Sequence, residues 1–213
     1  MSLREVVVLS GVRTAIADFG GSLKDVPPTE LAGRVIAEAV KRSGLASEDI
    51  GHCVMEDPMM GALTCPIGDT HMGVTAENLA EKYTISREEQ DELAAQSHRR
   101  AQRAIEENRF AGQILPIELK TRKGVTVFEQ DEHVCFDCKA EDLAELRPAF
   151  IKEGTVTAAN ASGINDAAAA LVLMEKSAAQ ARGMKPMARL VGYSLAAVDP
   201  ALWVSGRRLR CAS

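Results

Sequence analysis

The run Glu5-Val-Val-Val-Leu-Ser10 is short, apolar and rich in β-branched residues, a pattern that predicts a strand buried on both faces. A glycine-dotted loop from Gly11 to Pro28 follows. Leu31, Val35, Ile36, Ala39 and Val40 then recur at helical spacing, with Thr29 as the predicted cap and Gly44 as the stop. Asp49 to Met55 reads as a second strand. Strand, helix and strand in this order form the opening unit of an α/β fold with a parallel sheet.

After Met55 the periodicity lapses. Glu56 to Gly68 is rich in Met, Pro and Gly, which predicts a loop or linker. Thr75 is the predicted cap of a helix through Tyr83, and Ser86-Arg-Glu-Glu89 is a capping box that opens the longest helix, to about Asn108. The Arg and Lys residues on that helix read most simply as a solvated face. Ile114 to Leu119 and Val125 to Phe128 flank Thr121-Arg-Lys-Gly124, which predicts a hairpin. Ala167 to Met174 reads as a strand, Lys176 to Arg182 as a helix ended by Gly183, and Ala188 to Tyr193 as the start of another strand. No internal repeat is visible.

Between these elements lies Gly154-Thr-Val-Thr-Ala-Ala-Asn-Ala-Ser-Gly-Ile-Asn-Asp166, a string of small residues that predicts a tight loop set between packed elements. Small side chains let a ligand approach the backbone closely. Asn160 and Ser162 offer side-chain hydrogen bonds, and Gly163 permits a positive φ. On composition alone a plain connecting turn fits as well.

Bulk properties narrow the class. The chain has 213 residues, 46% of them hydrophobic and 26% charged, ordinary for a globular protein of one domain or two small ones. Its net charge of -5 argues against general nucleic-acid affinity, which needs a surplus of Lys and Arg on one face. No apolar run is long enough to span a bilayer, and Met1-Ser-Leu-Arg-Glu-Val lacks the layout of a secretion signal, so the expected compartment is the cytoplasm. The five cysteines, at 53, 65, 135, 138 and 211, are odd in number and lack framework spacing, which fits reduced thiols. Cys135-Phe-Asp-Cys138 is a single C-x-x-C with neither a second pair nor a His cluster nearby, so incidental thiols fit better than a zinc or redox site and no metal is expected.

The string from Thr155 to Asp166 resembles the segment of thiolases, the acyl-CoA:acetyl-CoA C-acyltransferases, that lies against the pantetheine arm of coenzyme A. Gly11-Val-Arg-Thr-Ala-Ile16 with Phe19-Gly-Gly21 resembles the thiolase amino-terminal signature, and His71-Met-Gly-Val-Thr-Ala-Glu-Asn78 the start of the family's helical loop domain. The resemblance implies an α/β thiolase-like amino-terminal core with a mixed sheet, incomplete, plus a mostly helical loop subdomain. The implied domains are the first part of the core at 1–55, the loop subdomain covering CoA at 56–150, a return to the core at 151–185, and the start of a carboxy-terminal domain with an aberrant tail at 186–213. It also implies acyl transfer between CoA thioesters through a cysteine acyl-enzyme, in fatty acid metabolism, by homo-oligomers that take CoA as substrate and need no cofactor. Matched residue by residue, the implied CoA contacts are Leu63, His71, Met72, Phe150, Ala158 and Ser162. For Met72 and Phe150 plain core packing is the competing reading, and for His71 a structural hydrogen bond.

The chemistry expected of that family is missing. Thiolysis or Claisen condensation needs a thiolate, a base for it, an acid/base for the α-carbon and donors for the enolate oxygen. Thiolases supply these from a cysteine at a glycine-rich helix start, a Gly-His-Pro motif, a second cysteine in a glycine-rich loop and an Asn-Glu-Ala-Phe motif, and none occurs here. Cys53 falls in the predicted second strand, where a small core role is expected, with His52 pointing to the opposite face. Cys65 precedes Pro66 in the linker, and His98 and His133 have no evident partner in the sequence. Asp131-Glu-His-Val-Cys-Phe136 also lacks the basic residue that thiolases commonly place after Asp-Glu, which weakens phosphate recognition there, and Arg122 and Lys123 at the hairpin tip read as solvated. The expected state is therefore an internally deleted, truncated thiolase with its junction near Met55. It is inactive as it stands, and a non-catalytic CoA-thioester binder or an interaction module is the alternative.

Overall fold

A computed structural model describes residues 4–54, 64–65, 70–121, 124–193 and 197–205. Its elements run β1 (Val6–Arg13), β2 (Ala17–Asp18), α1 (Pro28–Ser43), β3 (Thr64–Cys65), β4 (Thr70–His71), α2 (Met72–Tyr83), α3 (Arg87–Glu106), β5 (Ile117–Thr121), β6 (Gly124–Phe128), α4 (Ala140–Ala144), β7 (Asn165–Asp166), β8 (Ala169–Glu175), α5 (Lys176–Ala181) and β9 (Ala188–Arg189). Two compact units divide them. The first comprises residues 1–56, 107–133 and 164–192, and the second 57–106, 134–163 and 193–213. Residues 107–133, grouped with 56–150 in the sequence reading, thus pack with the first unit, because Ile117 and Phe128 share a core with Ala15, Ala17, Leu23 and Leu31.

In the first unit β1 is the centre of a three-stranded sheet in the order β8, β1, β9. Both neighbours are antiparallel to it, and every other ladder among the described residues is a two-stranded antiparallel pair. The parallel opening unit expected from the sequence is absent: Ser47–Asp49 forms a single turn of 3-10 helix and residues 50–54 form no strand. The two edges of β1 are instead taken by β8 and β9, which come from the far end of the chain. Nor is β1 buried on both faces. Val7, Leu9 and Val12 face the core, Val6 and Val8 are half-buried, and a bulge between Val8 and Ser10 brings Ser10 inside as well. That hydroxyl donates to the carbonyl of Ala39 at 2.6 Å and ties the strand to α1.

Leu31, Val35 and Ala39 are the buried stripe of α1, as their spacing predicts, and Gly44 ends the helix in the left-handed region at φ 75°. Thr29 does not cap it. The helix begins at Pro28, whose fixed φ suits the first helical position, and no side chain caps that end. The outer face of β8 carries Leu171 and Leu173, 65% and 57% exposed, an apolar strip left uncovered among the described residues.

The end of β1 is locked by Arg13. Its guanidinium makes a two-pronged ion pair with Asp131 at 2.7 and 3.0 Å and lies 5.1 Å from the centre of the Phe110 ring. Asp131 also accepts the N–H of Ile16, and Glu132 accepts those of Asp18 and Ser22. The Asp-Glu pair is thus spent on holding the glycine-dotted loop, and His133 is paired after all, its Nδ1 lying 2.7 Å from Asp18.

Candidate functional site

Five of the six predicted contact residues lie in the second unit where the structure describes them; Leu63 lies outside the described residues, as do Arg122, Lys123, Met55 and residues 206–213. His71 is exposed and is the N-cap of α2, its Nδ1 accepting the N–H of Gly73 at 3.0 Å. That corrects the expectation for Thr75, which is buried inside the helix with its hydroxyl donating to the carbonyl of Met72 at 2.7 Å. With Nδ1 an acceptor, the neutral His71 ring carries its proton on Nε2. The Phe150 ring stacks on the imidazole, centroids 5.0 Å apart and planes at 24°. Phe150 packs so closely over Gly73 that a Cβ there would overlap it.

Met72 and Phe150 are half-buried, whereas Ala158 and Ser162 are exposed. Among the described residues Ser162 donates locally, to the carbonyl of Gly163 at 3.2 Å. His71, Met72 and Phe150 are brought together, and Ala158 and Ser162 follow on the loop whose stem pairs with the chain before Phe150. There the N–H of Ala149 donates to the carbonyl of Val156 at 2.9 Å, and Pro148 bridges Thr157. Gly163 does not take a positive φ.

Two buried carboxylates that the sequence reading passed over organise this loop. Glu77 accepts both the N–H of Thr155 at 2.9 Å and the N–H of Val156 at 2.8 Å, together with the Thr155 hydroxyl at 3.0 Å. Asp91, 2% exposed, takes the Nε–H of Arg87 at 2.6 Å and the side-chain amide of Asn160 at 2.8 Å. Arg87 also donates to the carbonyls of Leu143 and Leu146, at 2.8 and 3.0 Å, so it is no part of a solvated face. Asn160 closes the loop on itself, accepting the N–H of Thr157 at 2.7 Å. Glu77 sits inside the quoted run His71 to Asn78, and only its internal place in α2 hinted at such a role.

The predicted cysteines do not assemble a nucleophile. Cys53 is exposed, not core, since the strand expected around it does not form, and the side chain of Cys65 lies outside the described residues. Cys138 is buried against Ala95 and Leu143, and Cys135 is exposed, its N–H donating to Nδ1 of His98 at 3.2 Å. Burial, then the neighbouring Cys135, pushes the Cys138 thiol up from its ordinary value, the opposite of what activates a cysteine. A cavity of about 440 Å³ opens on the far end of α2, beside Glu77, Glu81, Ile85, Ile151 and Thr155, and none of the five predicted residues that the structure describes lines it.

Known proteins share this chain's sequence and fold. Residues 6–59 and 54–177 each match the family model of the thiolase amino-terminal domain. A beta-ketothiolase of Cupriavidus necator is 40% identical over 285 positions, which take in 92% of this chain and 72% of the relative. Since 92% of 213 residues is about 196, roughly 89 positions inside that aligned span have no counterpart here. An acetyl-CoA acetyltransferase of Escherichia coli is 49% identical over 173 residues, 80% of this chain but 43% of its own length. The crystal structure of the Bacillus anthracis acetyl-CoA acetyltransferase superposes with a TM-score of 0.86 at 34% identity, covering 99% of this chain and 76% of that one. Human mitochondrial 3-ketoacyl-CoA thiolase superposes with a TM-score of 0.84 at 26% identity, covering 98% and 76%.

Proposed function

The chain belongs to the thiolase family, with an incomplete α/β thiolase fold, and on that premise we propose that its second unit binds the pantetheine arm of a CoA thioester without turning it over. The observation that carries this reading is the clamped loop from Gly154 to Gly163, set beside the His71–Phe150 stack. Met72 and Phe150 offer apolar surface to the methylene stretches of the arm, while the Ser162 hydroxyl and the Nε2–H of His71 offer polar contacts to its amides and carbonyls. Exposed Ala158 lets the arm lie close to the backbone. Leu63 completes the set by resemblance.

The missing turnover follows from the same reading. The family model is matched in two parts that meet at residues 54–59, which supports an internal junction where the nucleophile segment would lie. Within the matched span from residue 6 to 177 no cysteine is followed by a glycine-rich turn of the kind that carries the acyl group in that family, and this supports binding without covalent transfer.

Calorimetry with acetyl-CoA tests the binding half. The unaltered chain gives a saturable heat that Ser162→Trp abolishes by filling the loop surface; no heat, or heat untouched by the tryptophan, contradicts the assignment. Thiolysis of acetoacetyl-CoA tests the other half, and turnover lost in Cys53→Ala or Cys65→Ala contradicts it.

A further inference from the structure

Glu77 is 7% exposed, and its carboxylate is filled by one short stretch of loop: the N–H and hydroxyl of Thr155 and the N–H of Val156. Gly154 comes so near Oε1 that a Cβ there would overlap it. A solvated helix glutamate has no such environment. The same helix carries His71 at its N-terminus, roughly 9 Å away along the axis at 1.5 Å per residue, and supports the Phe150 ring on Gly73. Phe150 and the loop are joined in turn through Ala149 and Val156. Helix α2 is thus the common frame for both walls of the site, and Glu77 is the polar joint that registers the loop on it.

Resting on the CoA reading above, we propose that Glu77 is a positioning residue: it sets where Ala158 and Ser162 lie relative to His71 and Met72, and so sets the affinity for the pantetheine arm. It acts through the loop and touches no ligand. Glutamine is nearly the same size, but it replaces one acceptor by a donor. Because the N–H of Thr155 reaches both oxygens, neither orientation of the amide keeps all the contacts.

The test compares Glu77→Gln with Leu93→Gly, which weakens the second unit at an exposed position of α3 without touching the loop. Three quantities are read: the Tm, the hydrogen exchange of the Thr155 and Val156 amides, and the Kd for acetyl-CoA by calorimetry. In E77Q both amides exchange roughly tenfold faster and the Kd rises roughly tenfold. In L93G, at a similar loss of Tm, both stay within about twofold of the unaltered chain. Exchange and Kd that follow the Tm alike in both variants, or stay unchanged in E77Q, overturn the proposal. If E77Q gives no folded protein, Thr155→Val removes the hydroxyl contact to Glu77 together with the bond that the hydroxyl accepts from the Gln90 amide, and it carries the same comparison with Gln90→Ala as the control for the second bond. If the unaltered chain gives no heat with acetyl-CoA, the CoA reading falls and the exchange decides the clamp by itself: faster exchange in E77Q alone supports it, equal exchange overturns it.

Discussion

The His71 imidazole and the Phe150 ring stack with centroids 5.0 Å apart, and Gly73, two residues on in the same helix, lies directly beneath the Phe150 ring. Two effects of opposite sign therefore meet at Gly73. Alanine in a helix is favoured over glycine by about 0.5–1 kcal/mol, whereas forcing a methyl group into a packed contact costs about 1–3 kcal/mol. The steric term wins here, because the ring a Cβ would meet is already stacked on the imidazole. Gly73→Ala lowers stability in urea denaturation by about 1 kcal/mol or more, and adding Phe150→Leu recovers part of the loss.

Asp91 and Asn160 form the second joint between loop and helix. Asn160→Ala leaves a buried carboxylate oxygen without its donor, a loss of about 1–3 kcal/mol. A double-mutant cycle with Asp91→Ala gives a coupling energy between the two side chains of about 1 kcal/mol or more. Additivity in that cycle contradicts the pairing at 2.8 Å.

Acid weakens the first unit in a defined window. Burial alone would raise the Glu132 carboxyl, but the Ser22 hydroxyl and the N–H groups of Asp18 and Ser22 outweigh it and hold the group below the ordinary 4.5. Glu5 is lowered likewise, by Lys176 first and then by Arg189. A carboxylate depressed on folding contributes stability above its ordinary value and loses it as the pH falls from there through the lower folded value. The prediction is a steepening loss of stability as pH drops below 4.5, shallower in Glu132→Gln. An unchanged slope in that variant contradicts the assignment.

The thiols divide by burial. Cys53 and Cys135 are exposed and alkylate readily in the native protein, while Cys138, buried and with its thiol pushed up, reacts only on unfolding. Peptide mapping after brief iodoacetamide treatment reads this order, and native labelling of Cys138 as fast as Cys135 contradicts it.

The sequence exposes what depends on neighbouring residues. The apolar stripe of α1, the glycine stop at Gly44, the Ser86–Glu89 capping box, whose two reciprocal bonds form at 2.8 and 3.2 Å, and the β5–β6 hairpin all follow from spacing within a few residues. What depends on distant partners stays hidden. The antiparallel sense of the sheet follows from β8 and β9 reaching β1 and taking both its edges, while residues 50–54 form no strand. At helix starts, Thr29 yields to Pro28 and Thr75 to His71, because any nearby polar side chain satisfies a local pattern and geometry decides among them. The site shows the same division. His71, Met72, Ala158 and Ser162 enter as proposed contacts through the motifs that hold them, but the bonds of Glu77 and Asp91 to the loop are not legible, since a carboxylate on a charged helix looks alike whether it faces water or a loop.

Native mass spectrometry of the chain with acetyl-CoA tests the account most directly, because one spectrum reads both occupancy and covalent transfer. The predicted result is a complex with one acetyl-CoA that dissociates on activation to the unmodified chain. Failure to form that complex, or an acetyl group left on a cysteine after dissociation, contradicts it.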